Sequence, residues 1–220
     1  VEGITNLLWT LWMAVFHLFP VPLSKICLCV QISSLIILIA NLLVVKRIAE
    51  CFSPSQPAVP VFAMIFTAFY LPLNNWSLQG MEVGLLAFMI STAVLLIIRS
   101  IHQRSTFSIY ALIILGITMY VRIDMIVPYV LSFVMMLWIL KGERFKVAVW
   151  GMLICLVSIG SQTIFRMVYY HDIFPNTYYL KMTGYPFFLR LTRGVETAFR
   201  FIMNFNCILF ITPCVYLFRK

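Results

Sequence analysis

The sequence predicts an all-α membrane protein with about seven transmembrane helices and one further helix in the outer interface. Of its 220 residues, 63% are hydrophobic and 10% are charged, and the mean hydropathy is +1.01. A soluble domain of this size cannot bury so much apolar surface, because a folded surface needs more polar cover. Neither an internal repeat nor a low-complexity linker interrupts the chain, so residues 1–220 are predicted to form a single transmembrane domain.

Seven apolar runs are the candidate spans. They occupy residues 26–45, 58–73, 82–98, 107–121, 125–140, 147–165 and 201–218. A helix rises about 1.5 Å per residue and a bilayer core is roughly 30 Å thick, so the first run spans the core comfortably. The run 107–121 reaches only about 22 Å. Such short helices thin the bilayer or end below its surface.

Basic residues at alternate ends of these runs set the predicted orientation. The side that carries them is predicted to be cytoplasmic, because cytoplasmic loops are enriched in lysine and arginine. These residues are Lys46, Arg47, Arg99, Arg104, Lys141, Arg144, Lys146, Arg219 and Lys220. Seven other cations lie on the opposite side, five of them within residues 166–200, which weakens the bias.

The segment 7–19, "LLWTLWMAVFHLF", precedes the first span and stops at the prolines of positions 20 and 22. It is too short to cross a bilayer. A spanning helix here would also begin on the wrong side for the orientation given above. The sequence therefore predicts an amphipathic helix that lies in the outer interface.

Two polar groups are predicted at the outer ends of the spans. Glu82, in the segment "NNWSLQGMEVG", stands at the start of a span, where the positive end of the helix dipole favours a carboxylate. A capping role and a site role both stay open for it. Arg122 and Asp124 lie between two short runs, and ionisable residues at membrane depth mark functional sites by default. A mutual ion pair that pins a helical hairpin is the alternative, and the two roles are compatible.

The third polar group is "YYHDIFPNTYYLKMTG", residues 169–184. Its tyrosine rings and hydroxyls suit a sugar, and its lysine suits an anionic group. A rigid polar turn held by Asn176 is the structural alternative. The polar candidates in this group are Tyr170, His171, Asp172, Asn176, Tyr178, Tyr179 and Lys181.

Charge and cysteine usage argue against two other classes. The net charge is +9, but the basic residues fall mostly at the ends of apolar runs, which favours a topological role over a nucleic-acid surface. The six cysteines lie in or beside apolar runs and form no CxxC pair, so neither a disulfide framework nor a metal site is predicted.

Four segments resemble the GT-C superfamily of polytopic glycosyltransferases, in particular the bacterial branch that includes the terminal arabinofuranosyltransferase of the mycobacterial cell wall. In chain order they are "VEGITNLLWTLW", "NNWSLQGMEVGL", "YVRIDMIV" and "YYHDIFPNTYYLKMTG". The resemblance covers nearly the whole chain, and the last segment is its most specific part. Ile4, Gln79, Ile123 and His171 stand where the family usually has Tyr, Ser, Pro and Gly.

The resemblance implies a GT-C-type bundle that transfers a sugar from a polyprenyl-phosphate donor to a glycan, lipid or protein acceptor outside the cytoplasm. It implies a multi-pass protein of the plasma membrane whose other partners are membrane lipids and not nucleic acid. Arg122, Lys181 and Arg166 would bind the donor phosphate. Tyr170, His171, Asn176, Tyr178 and Tyr179 would contact the sugar or the acceptor. A divalent cation is left open, and no other cofactor is expected.

The general base of such an enzyme is an aspartate in the first outer loop. The resemblance places that loop, and the helix before it, upstream of Val1. The sequence also ends in mid-pattern, which predicts that the chain is truncated at its C-terminus. Within this sequence the candidate carboxylates are Glu82, Asp124 and Asp172. Two alternatives stay open: a transporter or flippase for a lipid-linked or anionic substrate, and a non-catalytic subunit of a membrane assembly.

Overall fold

The computed structural model describes residues 6–103, 107–173, 178–180, 184 and 186–203, and within them it has helices and no strand. This confirms the all-α class. The α-helices are α1 Leu7–Val15, α2 Leu23–Phe52, α3 Ala58–Ala68, α4 Leu71–Leu78, α5 Val83–Gln103, α6 Phe107–Val121, α7 Ile126–Ile139, α8 Arg144–Tyr170 and α9 Phe187–Phe201. Short 3-10 turns occupy Phe16–Leu18, Ile123–Met125 and Lys141–Glu143.

Three helical segments in the described residues are long and apolar enough to cross a membrane. They are Leu23–Phe52, Val83–Ile101 and Lys141–Tyr170. A fourth candidate is the bent pair α3 and α4, if the two helices form one span. The predicted runs 107–121 and 125–140 form shorter apolar helices, and most of the run 201–218 lies outside the described residues. A number of about seven spans therefore stays a prediction.

The run 58–73 is not the single helix that the sequence predicted. It breaks after α3, and α4 continues at an angle of 52°. Pro72 sits in the first turn of α4, where a missing N–H costs nothing, whereas within a continuous helix it would remove a hydrogen bond. The Asn74 side-chain amide donates to the Ala68 carbonyl at 2.6 Å, which satisfies an acceptor freed by the break.

The helices α5 to α8 enclose an apolar core. Its buried members include Ala93, Leu112, Met119, Tyr129 and Met136. The backbones of α6 and α8 come close at Gly116, where an added Cβ would meet the Ile154 side chain at 2.5 Å. Because consecutive helices run in opposite directions, the start of α5 and the turn between α6 and α7 meet at one end of this group.

The short helix α1 and the 3-10 turn after it hold twelve residues, too few to span a bilayer, as the sequence predicted. Trp9 of α1 is only 1% exposed and belongs to a second apolar cluster with Val30, Leu86 and Val121. Trp12 on the same helix is 42% exposed. One face of α1 thus packs against α2, α5 and α6, and its location in the outer interface stays a prediction.

The chain divides into two compact units, Val1–Ile173 and Phe174–Lys220. Among the described residues, the first unit contains α1 to α8. The second contains α9, an amphipathic helix whose residues are exposed except for Arg190, which is partly so. None of the seven predicted spans covers α9, so the sequence pattern did not predict this helix.

We expect Gly151→Ala to lower the free energy of unfolding by about 1–3 kcal/mol, the usual cost of overfilling a packed core. An added Cβ there would clash with the Phe133 ring, while the Tyr129 hydroxyl donates to the Gly151 carbonyl at 2.7 Å and holds the contact in place. Gly160→Ala on the same helix is the matched control. Nothing lies within 4 Å of its added Cβ, so it should stabilise α8 by up to about 1 kcal/mol.

The measurement is denaturant unfolding of the purified variants in mixed micelles. Equal stability of the two alanine variants would mean that α7 and α8 do not pack closely at position 151.

Candidate functional site

Arg122 is at the centre of a charged cluster between the ends of several helices. It follows α6 with an extended backbone, φ −151° and ψ 130°, and the 3-10 turn Ile123–Met125 brings Asp124 back toward it. Arg122 Nε donates to Asp124 Oδ1 at 3.0 Å, and Nη2 donates to Asp124 Oδ2 at 2.8 Å. This two-point contact uses the planar fork that distinguishes arginine from lysine. The predicted pair of Arg122 and Asp124 is therefore present.

Glu82 joins the same cluster from a distant part of the sequence. Its Oε1 accepts from Arg122 Nη1 at 3.1 Å, and its Oε2 accepts from the Asn6 side-chain amide at 3.2 Å. The Glu82 side chain is 5% exposed, whereas those of Arg122 and Asp124 are 41% and 53% exposed. Glu82 directly precedes α5, as the capping interpretation requires, but both of its carboxylate oxygens bind side chains of other elements.

The turn before Glu82 is fixed by a second contact with α1. Trp9 Nε1 donates to the Gly80 carbonyl at 2.9 Å. Gly80 follows α4 with φ +88°, in the left-handed region that glycine adopts without steric cost. Because Trp9 of α1 and Asn6 directly before α1 supply these two contacts, the start of α1 positions the turn and the carboxylate that follows.

The cluster has a formal charge of −1, since two carboxylates surround one guanidinium. The hydrogen bonds with Asp124 raise the pKa of Arg122 further above its ordinary value, so the guanidinium stays charged. The contacts described use three of its five N–H bonds and leave two for a ligand. Asp124 is also half exposed, so the cluster can offer both donors and acceptors to one bound molecule.

An apolar groove adjoins this cluster. It has a volume of about 530 Å³ and is lined by Leu8, Trp9, Leu11, Trp12, Val15, Ile37, Leu85, Phe88 and Met89, from α1, α2 and α5. Trp9 connects the two regions, because its ring lines the groove while its N–H holds the turn before Glu82. An aliphatic chain in the groove would therefore lie beside the charged cluster.

Three other predicted site residues lie on or just after the last turns of α8. Arg166 is buried, with 7% of its surface exposed. Tyr170 is the last residue of α8, and its ring meets the Tyr169 ring edge-on at 4.8 Å between centroids. His171 follows with φ 57° and ψ 32°, a left-handed conformation. Glycine adopts this conformation at no steric cost, whereas a histidine in it carries backbone strain.

Of the five remaining predicted residues, Asp172 lies near the end of the first unit, and Tyr178 and Tyr179 lie in the second. The two tyrosine rings meet edge-on at 5.7 Å. Asn176 and Lys181 lie outside the described residues, so their predicted roles stay predictions.

Sequence reasoning assigned no site role to Asn6, Trp9 or Gly80. These residues lie in the segments "VEGITNLLWTLW" and "NNWSLQGMEVGL", and their place in these two segments was the only indication of a site role that the sequence offered. Among the described residues, no group of three or more His, Cys, Asp or Glu side chains is arranged to hold a metal ion.

Comparisons with family models, with curated proteins and with solved structures find no match for this chain. Within the part of the chain that the structure describes, the fold and the site define a helical protein with three or four helices able to cross a membrane. It has a charged cluster beside an apolar groove.

We expect Glu82→Ala to destabilise the protein by about 1.5–3 kcal/mol, the range for hydrogen bonds to charged groups. The change removes a buried carboxylate and leaves Asn6 without this acceptor. Asp124→Ala should cost less than about 1 kcal/mol, because its side chain is exposed to solvent screening. Thermal unfolding of both variants in the same detergent tests the difference. A larger loss for Asp124→Ala would mean that the exposed pair, not the buried one, stabilises the fold.

We expect His171→Gly to raise the stability by about 0.5–1 kcal/mol, since it relieves a left-handed residue but adds chain entropy. Met167→Gly, inside α8 and exposed, is the control and should cost about 1 kcal/mol. Denaturant unfolding measures both changes. If His171→Gly is as destabilising as the control, the histidine ring contributes contacts that outweigh the backbone strain.

Proposed function

We propose that the chain is a membrane glycosyltransferase that takes a sugar from a polyprenyl-phosphate donor. The observation that carries this proposal is the apolar groove of about 530 Å³ beside the cluster of Glu82, Arg122 and Asp124. A lipid-linked sugar has an aliphatic tail, an anionic phosphate and a ring of hydroxyl groups. The groove suits the tail, and the mixed donors and acceptors of the cluster suit the polar end.

The proposed roles follow from the hydrogen-bond donors and acceptors of each side chain that the contacts within the cluster do not use. Two N–H bonds of Arg122 are available to a phosphate oxygen, where they would stabilise the charge that grows as the glycosidic bond breaks. The two carboxylates beside Arg122 repel another anion, such as the donor phosphate, electrostatically. We therefore assign further cations, Arg166 and Lys181, to the same phosphate.

Asp124 is proposed to accept a hydrogen bond from a hydroxyl group of the sugar or of the acceptor molecule. Each of its oxygens already accepts from Arg122 and has a second lone pair. Glu82 is proposed as a positioning residue, because it is buried and both of its oxygens are bound. Tyr170, His171, Asn176, Tyr178 and Tyr179 are proposed to complete the sugar and acceptor site. We assign the general base to none of the clustered carboxylates.

The proposal includes a GT-C-type bundle of about seven spans in the plasma membrane, with the cluster outside the cytoplasm. Among the described residues, the starts of α1 and α5 meet the end of α6 at the cluster. Lys141, Gly142 and Glu143 line a separate pocket with Ser100 and Ile101, at the opposite ends of α5 and α7. This alternation supports the predicted order of inner and outer loops.

A transporter is the second candidate function. The observation in its favour is the bent pair α3 and α4, since broken helices form the substrate sites of many transporters. A cavity of about 230 Å³ at this break is lined by Asn41, Thr67 and Asn74, among others. Asn41 is 2% exposed and its side-chain oxygen has no hydrogen-bond partner. Uptake of a lipid-linked sugar by proteoliposomes, without any transfer, would favour this candidate.

We expect Arg122→Lys to lower kcat/KM for sugar transfer about ten- to hundredfold, the equivalent of about 1.5–3 kcal/mol for a lost charged hydrogen bond. Lysine keeps the charge but cannot hold Asp124 at two points and also bind a phosphate. Arg47→Lys, on the exposed end of α2, is the matched control and should leave transfer unchanged. The assay follows release of the polyprenyl phosphate from synthetic pentose and hexose donors.

Normal kinetics for Arg122→Lys would remove this residue from the donor site. No transfer from any lipid-linked donor, together with donor uptake into vesicles, would replace the enzyme proposal with the transporter.

A further inference from the structure

The helix α9 separates apolar and basic residues onto two faces. Positions that recur every three to four residues lie on one face of a helix. Phe187, Leu191, Val195, Ala198 and Phe199 share one face by this spacing. Arg190, Arg193, Thr197 and Arg200 share the other.

The apolar face of α9 is exposed. Phe187, Val195 and Phe199 are each 63% exposed, and no residue of α9 is buried. Large apolar side chains arranged in one exposed stripe mark an interaction surface rather than a solvated one.

The basic face has an excess of positive charge. Three arginines stand against one acid, Glu196, which pairs with Arg200 at 2.6 Å. The Thr192 and Thr197 hydroxyls each donate a hydrogen bond to a backbone carbonyl within α9. The exposed Arg193 guanidinium suits an anionic partner.

A position of α9 across the bilayer core is excluded by charge. Its three arginines and Glu196 would then lie at membrane depth, which is costly. A helix with one apolar face, a basic polar face and low net hydrophobicity instead lies in the plane of the interface.

We infer that α9 lies flat in the surface of the bilayer that the chain spans, with its phenylalanine face among the lipid chains and its arginines on anionic lipid headgroups. The partner is the membrane itself, and the chemistry recognised is the headgroup phosphate with its excess negative charge. Because arginine bonds a phosphate oxygen through its planar fork, Arg193 is the proposed central contact. This surface is distinct from the charged cluster and does not depend on the proposed function.

The inference also explains an irregularity in the charge pattern. Five cations fall in residues 166–200, on the side of the chain predicted to face away from the cytoplasm. Three of these five lie on α9. An interfacial helix uses such residues to bind headgroups, so they do not act as signals for loop orientation.

The test places a nitroxide spin label at position 195 or 197 of the whole chain, with the native cysteines replaced. Position 197 shares the basic face and leaves all three arginines in place. The protein is reconstituted in vesicles of phosphatidylcholine alone, and in an equal mixture with phosphatidylglycerol. We expect the label at 195 to collide with oxygen dissolved in the lipid, and the label at 197 to collide with a nickel chelate in the water.

We expect phosphatidylglycerol to increase the immersed fraction of the label at 195. Arg193→Gln should reduce the ratio of immersed to aqueous label about fivefold in the anionic vesicles, since a basic residue near an anionic surface contributes about 1 kcal/mol. Lys146→Gln on α8 removes the same charge elsewhere and should leave this ratio unchanged.

Three results would overturn the inference. Both labels in water, in both kinds of vesicle, would mean that α9 is solvated. A label at 195 shielded from oxygen and nickel alike would mean that protein covers the apolar face. If the immersed fraction of the label at 195 changed neither with phosphatidylglycerol nor with Arg193→Gln, the arginines would not recognise anionic headgroups.

Discussion

The Arg122 guanidinium is the constraint on which the site depends. It binds carboxylates from two separate turns, Asp124 after α6 and Glu82 before α5. A buried carboxylate is stable only when its charge is paired and its lone pairs are used, and Glu82 satisfies this through Arg122 and Asn6. The position of α1 follows, because Asn6 and Trp9 reach their partners only while α1 packs against α2, α5 and α6.

The sequence predicted the helices well because their signal is local. The apolar runs located the helices that they cover, although α2 and α8 extend beyond their runs. Arg122 and Asp124 met as expected because they are two residues apart. The break between α3 and α4 also has a local cause, Pro72. The break was not predicted because Pro72 lies within a continuous apolar run. The helix α9 was missed because arginines interrupt its apolar residues, so its periodicity does not appear as a continuous run.

The contacts that build the site could not be predicted in the same way. Trp9 and Gly80 are 71 residues apart, and Asn6 and Glu82 are 76 residues apart. Neither pair follows from helix periodicity, since each depends on how three helices pack. Glu82 illustrates the ambiguity, because the start of a helix suits a carboxylate in a cap and in a cluster equally. Only the identity of its partners separates the two roles.

The balance of charge in the cluster affects how a lipid-linked sugar would bind. One guanidinium between two carboxylates attracts hydrogen-bond donors more readily than it attracts a second anion, so the sugar hydroxyls suit Asp124 better than the phosphate does. The phosphate then needs cations outside the cluster, and this gives Arg166 and Lys181 their importance in the proposed mechanism. A neutral acceptor hydroxyl meets no such repulsion. The pairing of Arg122 with Glu82 thus lets Glu82 stay buried and also uses up part of the positive charge of Arg122. A ligand is therefore favoured if its hydroxyls, rather than its charged group, lie against Asp124.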